Sequence, residues 1–133
     1  MADPTRGLLD TSVVLDHHLI DADFLPDESA IAAVTVAELA AGPHLTDDRD
    51  ERAGRQDRLL WVTLTWDALA FDDDAARAFG RLCAAARASA PTQRHRVADL
   101  LVAATAVAHD LPLITRNPDD FVGLDEIVEV RGI

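Results

Sequence analysis

Lysine is absent from this chain of 133 residues; all 12 basic residues are arginine. A nucleotide-binding P-loop needs a lysine on the phosphates, so that class of enzyme is excluded. Cys83 is the single cysteine and cannot form an internal disulfide. Its place in an apolar helical pattern reads as a small buried hydrophobe, and a reducing cytoplasm fits. No apolar run approaches the ~20 residues of a membrane span, and no signal peptide is expected ahead of the first strand. Positive charge is scarce as well: 24 acidic residues leave a net charge of -12. Such an excess argues against tight non-specific nucleic-acid binding and suggests a basic partner. It leaves room for an enzyme that meets nucleic acid through an ion held in an acidic site.

Apolar residues make up 49% of the chain, enough for one globular domain over residues 1–133 with a single core. Gly7-Leu8-Leu9 reads as the end of a buried strand beginning near Thr5, with Asp10 at its carboxyl tip and Thr11-Ser12 opening a helix. Ala30–Val34 reads as a second strand, and Thr35 as the cap of a short helix stopped at Gly42-Pro43. The Thr35 to Glu38 spacing makes a capping box, a purely structural use for Glu38. Residues 46–60 predict a charged, exposed helix whose apolar side turns into the core through Leu59, Leu60, Trp61 and Val62. Leu69–Phe71 is a short third strand. Asp72, Asp73 and Asp74 suit the positive end of a helix running to about Ser89 and are explained by it.

The most informative stretch runs from Arg96 to Phe121. A helix opening at Thr92 or Gln93 carries Val97, Leu100, Leu101, Ala104, Val107 and Ala108 at helical spacing. Asp99 falls within that apolar pattern, where an isolated carboxylate is costly unless paired, hydrogen-bonded or metal-bound. Leu113–Thr115 makes a core strand, followed by the polar loop Arg116-Asn117-Pro118-Asp119-Asp120. Phe121 and Leu124 pack inward, and Ile127–Val130 forms a last strand. This alternation predicts an α/β fold with a mainly parallel sheet of four to five strands between helical layers.

Asp10, Glu38, Asp99 and Asp120 all fall at strand ends or on helices flanking one sheet edge, where open α/β sheets bind ligands. Clustered carboxylates repel one another unless a cation is present. An all-oxygen donor set points to Mg²⁺, with Mn²⁺ as the alternative. The natural reaction is phosphodiester hydrolysis by water activated on the ion. Rival readings, with a phosphoacceptor receiver-like signalling domain as the remote alternative, fit less well on particular residues. A phosphoacceptor receiver domain wants paired acids at the first strand and a late lysine. A haloacid-dehalogenase-like phosphatase wants an aspartate where Ser12 stands. His17, His18, His44, His95 and His109 are too scattered for a zinc set.

Leu8-Leu-Asp10-Thr-Ser-Val-Val, Val36-Ala-Glu38-Leu, Val97-Ala-Asp99-Leu-Leu-Val-Ala-Ala-Thr-Ala and Leu113-Ile-Thr-Arg-Asn117-Pro-Asp-Asp120-Phe121 together resemble the PIN-domain ribonucleases. The likeness is strongest to the VapC toxins of type II toxin–antitoxin systems. It implies a three-layer α/β/α fold and a Mg²⁺-dependent endoribonuclease that inhibits translation. It also implies a homodimer and inhibition by a VapB-like antitoxin with a basic carboxyl-terminal segment. By position, Asp10, Glu38 and Asp99 match the three core acids. Many members carry the fourth acid directly after Thr-Arg; here Asn117 stands there, so the resemblance puts Asp120 in the site and Asn117 beside it. Thr11, Thr115 and Arg116 are candidate supporting groups. An arginine of the antitoxin is expected to enter the site, with apolar anchors near Val13, Val14, Leu39 and Leu60. The alternative within the same fold is a PIN-like module that binds RNA or protein without cutting.

Overall fold

A computed structural model describes residues 5–133. Residues 1–4, the start of the expected domain, lie outside the described residues.

Five parallel strands form one sheet: β1 (Arg6–Leu9), β2 (Glu28–Ala32), β3 (Ala68–Leu69), β4 (Leu113–Thr115) and β5 (Val130–Gly132). Their spatial order is β3-β2-β1-β4-β5. The helices are α1 (Thr11–Leu15), α2 (Ala33–Ala41), α3 (Arg49–Thr65), α4 (Asp73–Ser89) and α5 (Val97–Ala108). The expected α/β architecture and strand number stand. Because β1 lies between β2 and β4, the connections diverge on either side of it. The carboxyl ends of β1 and β4 therefore flank the point where the winding reverses, the usual binding crevice of such sheets.

Alternate side chains along each strand enter opposite layers. Leu8, Ala32 and Leu113 join Ala78, Leu82, Leu100, Val102 and Ala103 of α4 and α5. Leu9, Ile31 and Ile114 join Val13 and Val14 of α1, Leu39 of α2 and Val62 of α3. Gly7 lets β1 and β4 approach: a Cβ there would lie 2.7 Å from Cγ1 of Ile114.

Several boundaries differ from the sequence expectation. The second strand ends at Ala32, and α2 starts at Ala33 without a side-chain cap. Thr35 lies inside α2, fully buried, and its hydroxyl meets that of Thr11 rather than the backbone. The capping box therefore does not form. The helix bearing Asp99 starts at Val97, not at Thr92 or Gln93. The third strand is only Ala68–Leu69, and Phe71 is left 37% exposed. The last strand is Val130–Gly132; Ile127 and Val128 pack into the core as part of the preceding turn instead. In α3 only Val62 is buried, whereas Leu60 and Trp61 face outward. The aspartate triplet behaves as expected: Asp72 caps α4 by accepting from the amide of Ala75, and Asp73 and Asp74 occupy its first turn.

Leu82 is fully buried where α4 meets the sheet. Leu82→Ala should cost about 2–5 kcal/mol, the range for a core leucine replaced by a cavity. Urea denaturation, with the midpoint falling at an unchanged slope, is the measurement.

Candidate active site

Asp10 follows β1 and caps α1, so one residue takes both the strand-tip and the cap position. Its amide donates to the carbonyl of Ile114 (2.9 Å), which fixes the strand tip against β4. Its side chain is only 5% exposed. Oδ1 accepts from the hydroxyl of Ser12 and the amide of Val13, the latter at 3.1 Å. Oδ2 accepts from the hydroxyl of Thr115. Thr115 is itself fully buried, and its oxygen accepts the amide of Asn117 at 3.0 Å. These donors satisfy a carboxylate that could not otherwise be buried.

Glu38 reaches the same edge from α2. Its Oε1 accepts from the Thr11 hydroxyl at 2.8 Å. Since Thr11 spends its one proton there, Thr35 must donate to Thr11, 3.1 Å away. The second carboxylate oxygen lies 3.5 Å from a guanidinium nitrogen of Arg96, the residue before α5.

Asp99 sits in the first turn of α5, partly buried. Burial pushes its carboxyl above the ordinary value of 3.8; Arg96 opposes this, and the charges of Asp120, Asp10 and Glu38 add to the rise. The other three acids singled out in the sequence thus all lie near enough to Asp99 to act on it. Asp120 is exposed, on the 3-10 turn Pro118–Phe121 whose Phe121 is buried. Asn117 starts that turn, and its backbone amide is what meets the site. Arg116 points aside: its amide donates to Ser12 (3.2 Å) and its guanidinium lies 3.4 Å from Asp16.

Among the described residues, no three Asp, Glu, His or Cys side chains converge into a ready ligand shell, a statement that covers the histidines and the acidic cluster alike. The carboxylates form an open group. Mg²⁺ tolerates this, because it keeps several waters and takes one or two carboxylates directly. With oxygen donors only and mutual repulsion at Asp99, the donor set fits a hard divalent cation.

Two contacts escaped the sequence reading. Arg96 was visible only as a cation three residues before Asp99, and Ser12 only as a helix-cap hydroxyl. The expected anchor positions also need correction. Val13 and Val14 lie in the core, so they cannot receive a partner's side chains; Leu39 is also buried and offers only an edge, while Leu60 is 59% exposed. A groove of about 260 Å³ does open beside Glu38, lined by Thr11, Leu15, the edge of Leu39, Gly42, Arg55 and Arg58. A larger cavity, about 700 Å³, lies at the amino ends of β1, β4 and β5 around Arg6, Leu111 and Glu129, and none of Asp10, Glu38, Asp99 and Asp120 lines it.

Asp99 supplies a stability prediction. The folded state binds its proton more tightly than the unfolded chain does. Stability from this group is therefore full below the ordinary carboxylate value and is lost as pH rises through the raised one. Asp99→Asn removes that loss, so the metal-free variant should melt at or above the parent at pH 7. The difference should shrink as pH falls toward about 4. Thermal melts across this range test it; a variant melting clearly below the parent at pH 7 would show that the ionised carboxylate is a net stabiliser.

The PIN domain model matches residues 7–127. The chain is 38% identical to Ribonuclease VapC5 of Mycobacterium tuberculosis, over 98% of this chain and 96% of that protein. It is 34% identical to VapC ribonuclease Y4jK of Sinorhizobium fredii, over 95% and 86% respectively. Among solved structures, it superimposes on a chain of the VapBC-5 complex from M. tuberculosis with a TM-score of 0.82, at 38% identity, covering 98% of both chains. That complex is described as a member of the VapBC family of toxin–antitoxin systems. With a sheet edge of the expected form and matches of this extent, the chain belongs to the PIN-domain family, among its VapC-type members.

Proposed function

We propose that this protein is a Mg²⁺-dependent endoribonuclease and the toxin of a VapBC-type pair. The observation that carries the reading is the placement of Asp99, partly buried and facing the charges of Asp120, Asp10 and Glu38. Similarity to proteins named as VapC ribonucleases supports the reaction class, and similarity to a VapBC complex supports the biological role.

Asp10 and Asp99 would hold the ion, with Glu38 and Asp120 beside them; Mn²⁺ has the same donor preference. When bound, the ion supplies Lewis acidity toward a phosphate oxygen and acidifies a water. The chain's own part is orientation. Three donors fix the direction of the Asp10 carboxylate, and Thr11 holds one oxygen of Glu38. The guanidinium of Arg96, largely exposed, lies at the rim and can exchange its long contact with Glu38 for a substrate phosphate. A chain of charge -12 gains little from general attraction to RNA, so binding must concentrate at this rim and at the ion.

The protein partner in this reading is a VapB-like antitoxin with a basic segment, with a second copy of the chain as homodimer partner. Such a segment finds Leu15, Leu39 and Glu38 in the groove beside the site, and one arginine can pair bidentately with Asp10, Asp99 or Asp120. Exposed Leu60, Trp61 and Leu64 on α3 offer further apolar contact for protein partners. Among the described residues no helix is long and apolar enough to cross a membrane. We place the protein with its RNA substrate in the cytoplasm.

The purified protein should cut RNA with Mg²⁺ and stop with EDTA. Asp99→Asn should lower the cleavage rate more than about a hundredfold while keeping the circular-dichroism spectrum, since loss of a mere supporting group at a metal site already costs 10–100-fold. Undiminished cleavage by the variant would remove Asp99 from the site. RNA retained uncut by the wild type in Mg²⁺ would favour the binding-module alternative.

A further inference from the structure

The loop between α4 and α5 does more than connect them. Gln93 donates from Nε2 to the carbonyl oxygen of Asp119 at 2.8 Å. His95 places Nε2 at 3.2 Å from the carbonyl oxygen of Val122. A carbonyl can only accept, so His95 carries its proton on Nε2, as a donor. The two accepted carbonyls bracket Asp120. Between them, Phe121 anchors the same turn in the core. Just beyond, Gly123 has φ +86 and packs so closely that a Cβ would lie 2.7 Å from Cβ of Ser89, the last residue of α4. The turn is thus held from three sides, and Asp120 is exposed on it.

We propose that Gln93 and His95 are positioning residues that clamp the Pro118–Phe121 turn and so keep Asp120 directed at Asp99. The proposal rests on the reading of Asp120 as part of the site, and neither residue touches substrate or ion. Two structural facts support it. The clamp spans 26 and 27 residues of sequence, so it is tertiary and not a local turn bond. It starts from the short segment leading into α5, whose first turn carries Asp99.

The test has two independent arms. In the metal-free protein, amide hydrogen exchange at Asp120 and Leu124 reports the turn, because those amides close it onto Asn117 and Phe121. A Gln93→Ala/His95→Ala double variant should speed that exchange about tenfold, the scale expected for losing one or two modest hydrogen bonds. In the second arm, the Mg²⁺ concentration for half-maximal RNA cleavage should rise about three- to tenfold, with the rate at saturating Mg²⁺ near the parent's. His95→Gln, which keeps a donor at similar reach, should restore both readouts toward the parent. Adding the double variant to Asp120→Asn should not raise the Mg²⁺ requirement further, because the group being positioned is already gone. Unchanged exchange overturns the clamp, whatever the enzyme does. Faster exchange with an unchanged Mg²⁺ requirement overturns the positioning role. A wild type that never cleaves RNA refutes the proposed function, while the exchange arm still decides whether the clamp exists.

Discussion

The hydrogen bond from Thr115 to Asp10 ties together two strand ends 105 residues apart in sequence, and the site depends on it. A carboxylate only 5% exposed is tolerable only when donors surround it. Ser12 and Val13 come from the helix that Asp10 itself caps, so they are available as soon as α1 forms. Thr115 is available only once β4 has docked beside β1. Satisfaction of Asp10 is therefore a condition on the tertiary fold, and the fold that meets it has already placed the carboxylate at the reversal point of the sheet. Structure and site are made by one contact.

Around that contact the protein accepts an electrostatic cost. Asp99 lies in the first turn of α5, where a carboxylate has the favourable end of the helix dipole. Burial and three neighbouring carboxylates outweigh that advantage and the nearby Arg96, since the balance leaves its carboxyl shifted upward. A sequence under selection for stability alone would place an apolar residue there, as at most buried positions of α5. Retaining an acid amid like charges makes sense where a cation completes the group, the reasoning that links a perturbed acid to a functional site.

The parts legible in the sequence were those with local causes. Strand, turn and acid at Asp10 follow from Leu8-Leu9 and the cap chemistry after them. Asp72 capping α4 follows from an aspartate three residues before the amide it accepts. What failed had tertiary causes. Thr35 has the right type and spacing for a cap, yet its hydroxyl finds Thr11 from another element, and α2 runs on past it. Ile127–Val130 has the composition of a strand, but Ile127 and Val128 are drawn into the core before pairing begins. Leu60 and Trp61 looked like the inward side of α3, although a helix against one sheet face needs little more than Val62 and Leu59 to fill its contact. Trp61 instead lies edge-on to Trp66, ring centroids 5.2 Å apart, with His17 against both. No pattern within α3 could reveal that arrangement.

The same distinction explains why Arg96 and the loop before it were not legible as functional. Apolar spacing marks only the buried side of α5, and it extends a helix backward until something stops it. Here the stop is not a capping side chain, since Arg96 provides none. Gln93 and His95 bond instead to carbonyls of a distant turn, while Arg96 turns toward Glu38. Three residues that would be unremarkable on an exposed helical face each join separate elements once the chain is extended. An irregular segment costs backbone hydrogen bonds that a helix would have made. In this position the segment replaces part of them with bonds to the carbonyls on either side of Asp120, the most exposed acid of the cluster.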